Sequence, residues 1–371
     1  MDFQVIDSNG LCKKVFINND IIDFSERLNL TKTWKHSVHL SHTENVDYAI
    51  LYGDGTYDSL CPSYLRESWN LSYSRVASIM KSVINAQCDL ENTCVYDYVP
   101  HKFLMKFLNA KGAIISHVFE SVKKPSHYDI LRKAHILTEE MNANLNTFGD
   151  EKGTTNYSIF GTKTGRLSNK KSAIPILTMK REDRSMLKPS NDLFVEFDFN
   201  AAELRTLLAL SEKEQPQIDI HKWNVTQFDA TLTRDEIKKR VFAWLYNPEA
   251  RDSVLEGLYN RDWVKSNYWN GKTVKTPFFR EIETDDRRAL NYIVQSTSSD
   301  VCIEQAFKLR KLFQNKRTKI CYLLHDSVIL DFAKEDRHLF LEAKSMFSDT
   351  RFGKYVVNSA IGKNFGDMRV V

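Results

Sequence analysis

The tightest constraint on the fold is a pair of apolar, β-rich runs that each break on an acid. Leu193–Phe194–Val195–Glu196–Phe197–Asp198 is bulky and apolar and then ends abruptly in a carboxylate, and Ala201 to Ser211 continue with helical spacing. Cys321 to Asp331 carries two apolar arms around the polar tip His325–Asp326–Ser327, the pattern of a β-hairpin. A single acid at a strand end is equally well explained as a cap or turn residue, so the expectation rests on the pair. Two carboxylates brought together repel unless a cation neutralises them. Hard divalent ions prefer such oxygen ligands, and Mg²⁺ takes one or two carboxylates plus substrate phosphates.

A helix is expected between these two runs, over Arg234–Tyr246. Thr233 and Glu236 form a capping-box pattern, and Asn247–Pro248 stops the helix. Ile237, Val241, Trp244 and Leu245 make its apolar stripe. Arg234, Lys238, Phe242 and Tyr246 recur every fourth residue on a neighbouring stripe, roughly 110° away at 3.6 residues per turn. One side therefore packs, and the next presents two cations followed by two aromatics. Cations suit a triphosphate and aromatics suit a base or sugar; an ordinary surface helix with incidental charges has the same composition.

The rest of the chain sets the frame. Its 371 residues suffice for two or three packed units. Net charge is +4, mildly basic, which suits nucleic acid weakly and by itself decides nothing. Basic residues cluster at Lys170–Lys171, Lys180–Arg181, Lys238–Arg240, Arg287–Arg288 and Lys308–Lys311. Six cysteines (Cys12, Cys61, Cys88, Cys94, Cys302, Cys321) lie scattered without zinc-type spacing, as reduced thiols would. No signal-like start and no long apolar run is present, so a cytoplasmic protein without a membrane span is expected. Residues 1–62 read as short strands (Phe3–Ile6, Lys14–Ile17, Tyr48–Leu51) forming a small separate unit. Tyr64–Gln87, His101–Lys123 and Ser126–Asn144 read as helices, and 145–192 as a long loop-rich stretch.

Taken together, these pieces resemble family A DNA polymerases, the family of bacterial DNA polymerase I and its phage relatives. Arg234, Lys238, Phe242 and Tyr246 match all four positions of that family's motif B. Asp198–Phe199–Asn200–Ala201–Ala202–Glu203–Leu204–Arg205 resembles motif A, and His325–Asp326–Ser327 resembles motif C, His-Asp-Glu. Thr164–Gly165–Arg166–Leu167–Ser168, Asp219–Ile220–His221, and the series Arg287, Asn291, Gln295, Asp300 match further segments in the family's order, as does Gly362–Lys363–Asn364–Phe365–Gly366 near the end. The resemblance covers residues ~150–371. Ser327 departs from it by replacing the usual motif C acid; Ala243, Asn247 and Ser296 replace glycines.

The resemblance implies an α+β right-hand polymerase fold with an antiparallel-sheet palm, helical fingers and a helical thumb. It divides the chain into a small N-terminal unit at 1–62, thumb at 63–150, palm at 151–211, trimmed fingers at 212–285 and palm again at 286–371. It implies a template-directed DNA polymerase that adds deoxynucleotides to a primer 3′-OH with two Mg²⁺ ions, Mn²⁺ substituting. Asp198, Asp326 and the Phe199 carbonyl would hold the metal, and Lys238 would protonate the leaving group. His221, Arg234 and Lys238 would grip the triphosphate, Phe242 and Tyr246 would meet base, sugar and template, and Glu203 would reject a 2′-OH. Arg166, Arg287, Asn291, Gln295 and His325 would contact primer–template DNA.

Residues 1–62 are too short for a proofreading exonuclease, and Asp7, Asp20 and Asp54 show no Asp-x-Glu pattern. A separate chain would then supply exonuclease, helicase or processivity functions. The compact build suggests a phage or other mobile element. The competing readings are a single-subunit RNA polymerase, which also carries His-Asp-Ser, and a catalytically silent DNA-binding palm.

Overall fold

The structure is a computed structural model. It describes all residues except 7–12, 26, 41–44, 89–93, 145, 170–173, 181 and 229–231, and the side chains of Val95, Glu151 and Lys152. Asp7, Cys12, Lys170, Lys171 and Arg181, singled out in the sequence, lie outside the described residues. The protein is α+β, and its sheets are predominantly antiparallel. It divides into two compact units, Met1–Ala143 and Asn144–Val371.

Among the described residues, the first unit joins a three-stranded antiparallel sheet (Gln4–Ile6, Lys14–Ile17, Asp20–Asp23) to five α-helices. These are α1 (Ala49–Gly53), α2 (Tyr57–Leu60), α3 (Arg66–Asn85), α4 (His101–Ser121) and α5 (Tyr128–Ala143). The boundary expected after residue 62 is absent: Ile6, Phe16, Trp34 and Ala49 share one apolar cluster with Trp69, Val76, Leu104, Phe107 and Ile114. Residues 1–62 bury their apolar side chains against α3 and α4 instead of forming a core alone, as expected for so short a segment. The strand expected at Tyr48–Leu51 is also corrected. Only Asp47–Tyr48 is extended, and Ala49 begins α1. A four-residue apolar run fits a buried helical turn as well as a strand; here the Tyr48 N–H is taken by the Tyr128 hydroxyl of α5 (2.8 Å).

The second unit is organised by a five-stranded antiparallel sheet. In spatial order its strands are Lys319–Leu324, Ser327–Phe332, Leu193–Phe199, Val357–Gly362 and Arg369–Val370. Leu193–Phe199 runs through the middle, with Phe194, Val195, Phe197 and Phe199 buried. Around it stand α6 (Ala202–Leu210), α7 (Ile220–Val225), α8 (Arg234–Tyr246), α9 (Ser253–Tyr259), α10 (Arg261–Tyr268), α11 (Asp286–Leu312) and α12 (Phe340–Ser348). The bounds of α8 are those its sequence signals predict, and both halves of the Thr233–Glu236 capping box form. Ile237, Val241, Trp244 and Leu245 are all buried, leaving the Arg234, Lys238 and Tyr246 positions exposed.

The loop-rich stretch before the central strand contains a small sheet of Leu187–Lys188, Asn146–Phe148 and Glu151–Gly153, and a two-stranded pair, Tyr157–Ser158 with Ser168–Asn169. Strands of two or three residues leave no periodicity to read. Among the described residues no helix is long and apolar enough to cross a membrane.

Candidate active site

The two acids meet at one end of the five-stranded sheet. Asp198 is paired in register with Ser327 on one side and Asn358 on the other. Asp326 is the second residue of the two-residue turn between Leu324 and Ser327. The Phe199 N–H donates to the Asp326 carbonyl at 3.2 Å, so the strand end and hairpin tip are one main-chain hydrogen bond apart. His325, the first turn residue, has φ +55°, and Ala201, ahead of α6, has φ +53°. Both are left-handed positions uncommon for residues with a Cβ, and strained backbone of this kind concentrates where geometry is functional.

Side chains directly opposite in a sheet share a face, as do residues two apart on one strand. Glu196, Asp198, Ser327 and Asn358 therefore line the same face. The Asn358 amide donates to Asp198 Oδ2 (3.3 Å), and the Ser327 hydroxyl donates to Glu196 Oε1 (3.2 Å). Burial, reinforced by the Asp326 charge and by Glu196, pushes the Asp198 carboxyl up to about 7. Burial also pushes Asp326 up to about 6, with Glu203 and Glu196 adding repulsion and Arg166 opposing it. Partly buried acids close to other carboxylates behave this way.

The donors fit a hard divalent ion. Two aspartates and main-chain oxygen are the ligand chemistry Mg²⁺ accepts when a substrate phosphate completes its shell. Among the described residues no group of three or more His, Cys, Asp or Glu side chains forms a ready-made metal cage. Phe199 can contribute only through its main chain, because its ring is stacked on Phe347 (4.3 Å between centroids) and set edge-on to Tyr355.

A second group surrounds Glu203 in the first turn of α6. Its carboxylate pairs with Arg166 and accepts the Tyr246 hydroxyl. Burial and this hydrogen bond raise the Tyr246 phenol well above its ordinary range. Phe242 lies one turn earlier on α8 with its ring parallel to that of Tyr246 (5.9 Å, 4°). Lys238 Nζ lies 5.9 Å from the Phe242 ring centre, exposed and without an ion pair among the described residues. His221 is buried beside Phe242 (5.8 Å), and its Nδ1 has no hydrogen-bond partner. Burial lowers the His221 pKa, assisted by Lys238 and Arg234 and opposed by Asp219. A buried imidazole with an orphan nitrogen beside free ammonium and parallel rings suits a phosphorylated, ring-bearing ligand.

Arg234 is engaged within the protein. It bonds Asp219 through Nε (3.3 Å) and Nη2 (3.0 Å). Asp219 also caps α7 by accepting the Lys222 N–H, and takes a bond from the Asn200 amide. Burial works against its charge, but these donors hold the Asp219 carboxyl well below the usual range. Arg205, part of the motif A resemblance, is fully buried and clamps the carbonyls of Asn200, Pro216 and Ile218 at 2.8 Å each. From α6 it ties the turn after the strand end to the loop that leads into α7.

The segment carrying Arg166 is tied to α11 by a hydrogen bond from the Thr164 hydroxyl to Gln295 Oε1 (3.1 Å). Gly165 has φ +76°, and a Cβ there would lie 2.4 Å from the Arg280 guanidinium carbon. Arg280 in turn forms a buried two-point bond to Asp300 (2.7 and 2.9 Å). Asp300 is thus a support behind the Arg166 segment. His325 is exposed at the turn, and partial desolvation of its ring together with the Arg166 charge lowers its pKa. Arg287 is exposed near the start of α11, and Asn291 is half-buried one turn later; no side-chain bond ties either to the acids. At 1.5 Å per residue Arg287 lies about 12 Å along the helix from Gln295.

The sequence reading missed Glu196 and Asn358. Glu196 carried a detectable signal, a charged residue two positions before Asp198 in an otherwise apolar strand. Asn358 carried none, because its place beside Asp198 depends on strand order. The chain matches no protein-family model, and no curated protein is similar to it.

Proposed function

We propose that the chain is a template-directed DNA polymerase of the family A type, its second unit supplying palm and fingers of a right-hand fold. The observation that carries this reading is the meeting of Asp198 and Asp326 at the sheet end, their carboxyls raised to about 7 and about 6. Such a pair is costly unless a cation is part of the working state.

Divalent ions bound there would stabilise the attacking 3′-oxygen and the leaving pyrophosphate oxygen of an in-line displacement at the α-phosphate. Asp198 and Asp326 would hold the ions, with main-chain oxygen at Phe199 as a further donor. Lys238 is free to bind the triphosphate and to pass a proton to the departing pyrophosphate. His221 would offer its unpartnered nitrogen to the same phosphates. Arg234 would join them by sharing or leaving Asp219. Phe242 presents a ring for the sugar and base. Glu203, fixed between Arg166 and Tyr246, would form the wall that a ribose 2′-OH would strike. Arg166 and Gln295, joined through Thr164, would contact the minor groove, where acceptors are alike for all base pairs; Asn291, Arg287 and His325 would extend the contact along primer and template.

One observation favours a second reading. Ser327 stands where a second carboxylate would complete the hairpin tip, as in the RNA-synthesising relatives named above. Primer extension with Mg²⁺ on a primed DNA template, using deoxynucleotides or ribonucleotides, separates the two. Deoxynucleotide extension that disappears in Asp326→Asn is the expected result. Preference for ribonucleotides would favour RNA synthesis, and tight DNA binding without extension would favour a silent accessory role.

A further inference from the structure

The first unit contains a cavity that the polymerase reading does not use. Its volume is about 500 Å³, in the range of small-molecule sites, and α2, α3 and α4 enclose it. Its wall is a run of stacked rings. Tyr57 lies on Trp69 (5.4 Å, 28°), and Trp69 also neighbours Tyr73 (5.2 Å, 27°) and Phe107 (5.6 Å, 21°), which are 6.4 Å from each other. The run ends in the open: Tyr73 is 47% exposed.

Lys111 reaches into this wall. Its Nζ sits 4.6 Å from the Tyr57 ring centre and 4.8 Å from that of Phe107. Lys111 is half-buried, its ammonium has no hydrogen bond or ion pair among the described residues, and Lys35 is its charged neighbour; burial and that like charge lower its pKa to about 7. Asp58, also at the cavity, takes its bond from Trp69 Nε1 (2.6 Å) and makes no ion pair with Lys111. Lys81 adds a second cation at the edge.

A purely apolar occupant would leave this ammonium unpaired, and a bare anion would leave the ring faces unused. A planar ring carrying an anionic group satisfies both. We infer that the cavity binds a nucleotide, with its base against the aromatic wall and its phosphate on Lys111. The choice of a nucleotide among aromatic anions rests on the polymerase reading; the need for a ring and an anion does not. The same chemistry is offered by a free nucleotide and by an unpaired nucleotide of a single strand.

Photo-crosslinking of the full chain distinguishes them. One arm uses 5-iodo-deoxyuridine monophosphate, the other a deoxythymidine 12-mer with one central 5-iodouracil, and crosslinked peptides are mapped by mass spectrometry. Crosslinks on α2 to α4, at Tyr57, Trp69 or Tyr73, are the expected result. Their appearance in both arms or with the mononucleotide alone assigns a nucleotide pocket, and with the oligonucleotide alone a single-strand contact. Tyr73→Ala and Lys111→Met should each lower this yield at least fivefold. Crosslinks confined to residues beyond 143, or yields unchanged in both variants, would overturn the inference. Primer extension measured on the same preparations reports separately on the polymerase reading, so either can fail alone.

Discussion

Among the described residues, each unit buries charge that forms no ion pair, and the signs are opposite. The Met1–Ala143 unit encloses the Lys111 ammonium among rings, and its pKa falls to about 7. The Asn144–Val371 unit brings Asp198 and Asp326 together at one sheet end, and theirs rise to about 7 and about 6. Elsewhere the second unit satisfies what it buries, by ion pairs in Arg280–Asp300 and Arg351–Glu304 and by carbonyl oxygens around Arg205. The lesson is that burial alone does not mark a site, since a paired buried charge is structural. A buried charge left unmatched costs stability, and the cost is recovered when a ligand of opposite sign binds.

The sharpest break of this comparison is catalytic. Asp326→Asn should lower primer extension by about 10²- to 10³-fold or more, the scale of losing one preorganised electrostatic group. Activity within twofold of wild type would remove the acids from the mechanism. Next is the paired control. Asp300→Asn should cost about 3–5 kcal/mol in urea unfolding because Arg280 is then buried alone. A loss below about 1 kcal/mol would mean that the pair is already solvated in the folded state.

The unmatched acids should behave in the reverse manner. In the folded state Asp198 has its pKa raised from 3.8 to about 7, so the native protein binds more protons than the unfolded one between those values. Stability therefore falls as pH rises through that window. With chelator present, Asp198→Asn should stabilise the protein at pH 8 by up to about 4 kcal/mol, at 1.36 kcal/mol per pK unit. The gain should vanish below the unfolded pKa and be reduced by saturating Mg²⁺. The acids titrate as a pair, so urea unfolding across pH reads their sum.

Lys111 supplies the mirror image. Its pKa is lowered from 10.5 to about 7, so the native protein binds fewer protons than the unfolded one between those values. Stability from this group rises with pH across the window. Lys111→Met should add about 1–3 kcal/mol at pH 7, allowing for solvent in the cavity, and nothing above the unfolded pKa. A gain that grew with pH would have the wrong sign for a buried cation.

The smallest expected effect is confined to the α8 stripe. Phe242→Tyr should raise dideoxynucleotide incorporation, as the family resemblance implies, while thermal stability shifts by less than about 1 kcal/mol. Unchanged terminator use would count against placing this ring at the nucleotide.

What could be read from the sequence was local. The bounds and capping of α8 follow from residues within one turn of its ends. Its buried stripe follows from 3.6-residue spacing, and the Cys321–Asp331 hairpin from alternation around a polar tip. Asp198, Asp326, Lys238 and Tyr246 were visible as residue types at particular spacings, and Glu203 and His221 only through the family resemblance. Pairings that depend on which elements become neighbours were not. Only the tertiary structure decided that Arg234 is taken by Asp219, that Asp300 backs the Arg166 segment through Arg280, and that Glu196 and Asn358 flank Asp198. It also decided that residues 1–62 share a core with α3 and α4. Spacing encodes the face of one element; strand order, and the partner a long polar side chain reaches, are chosen by packing between segments far apart in the chain.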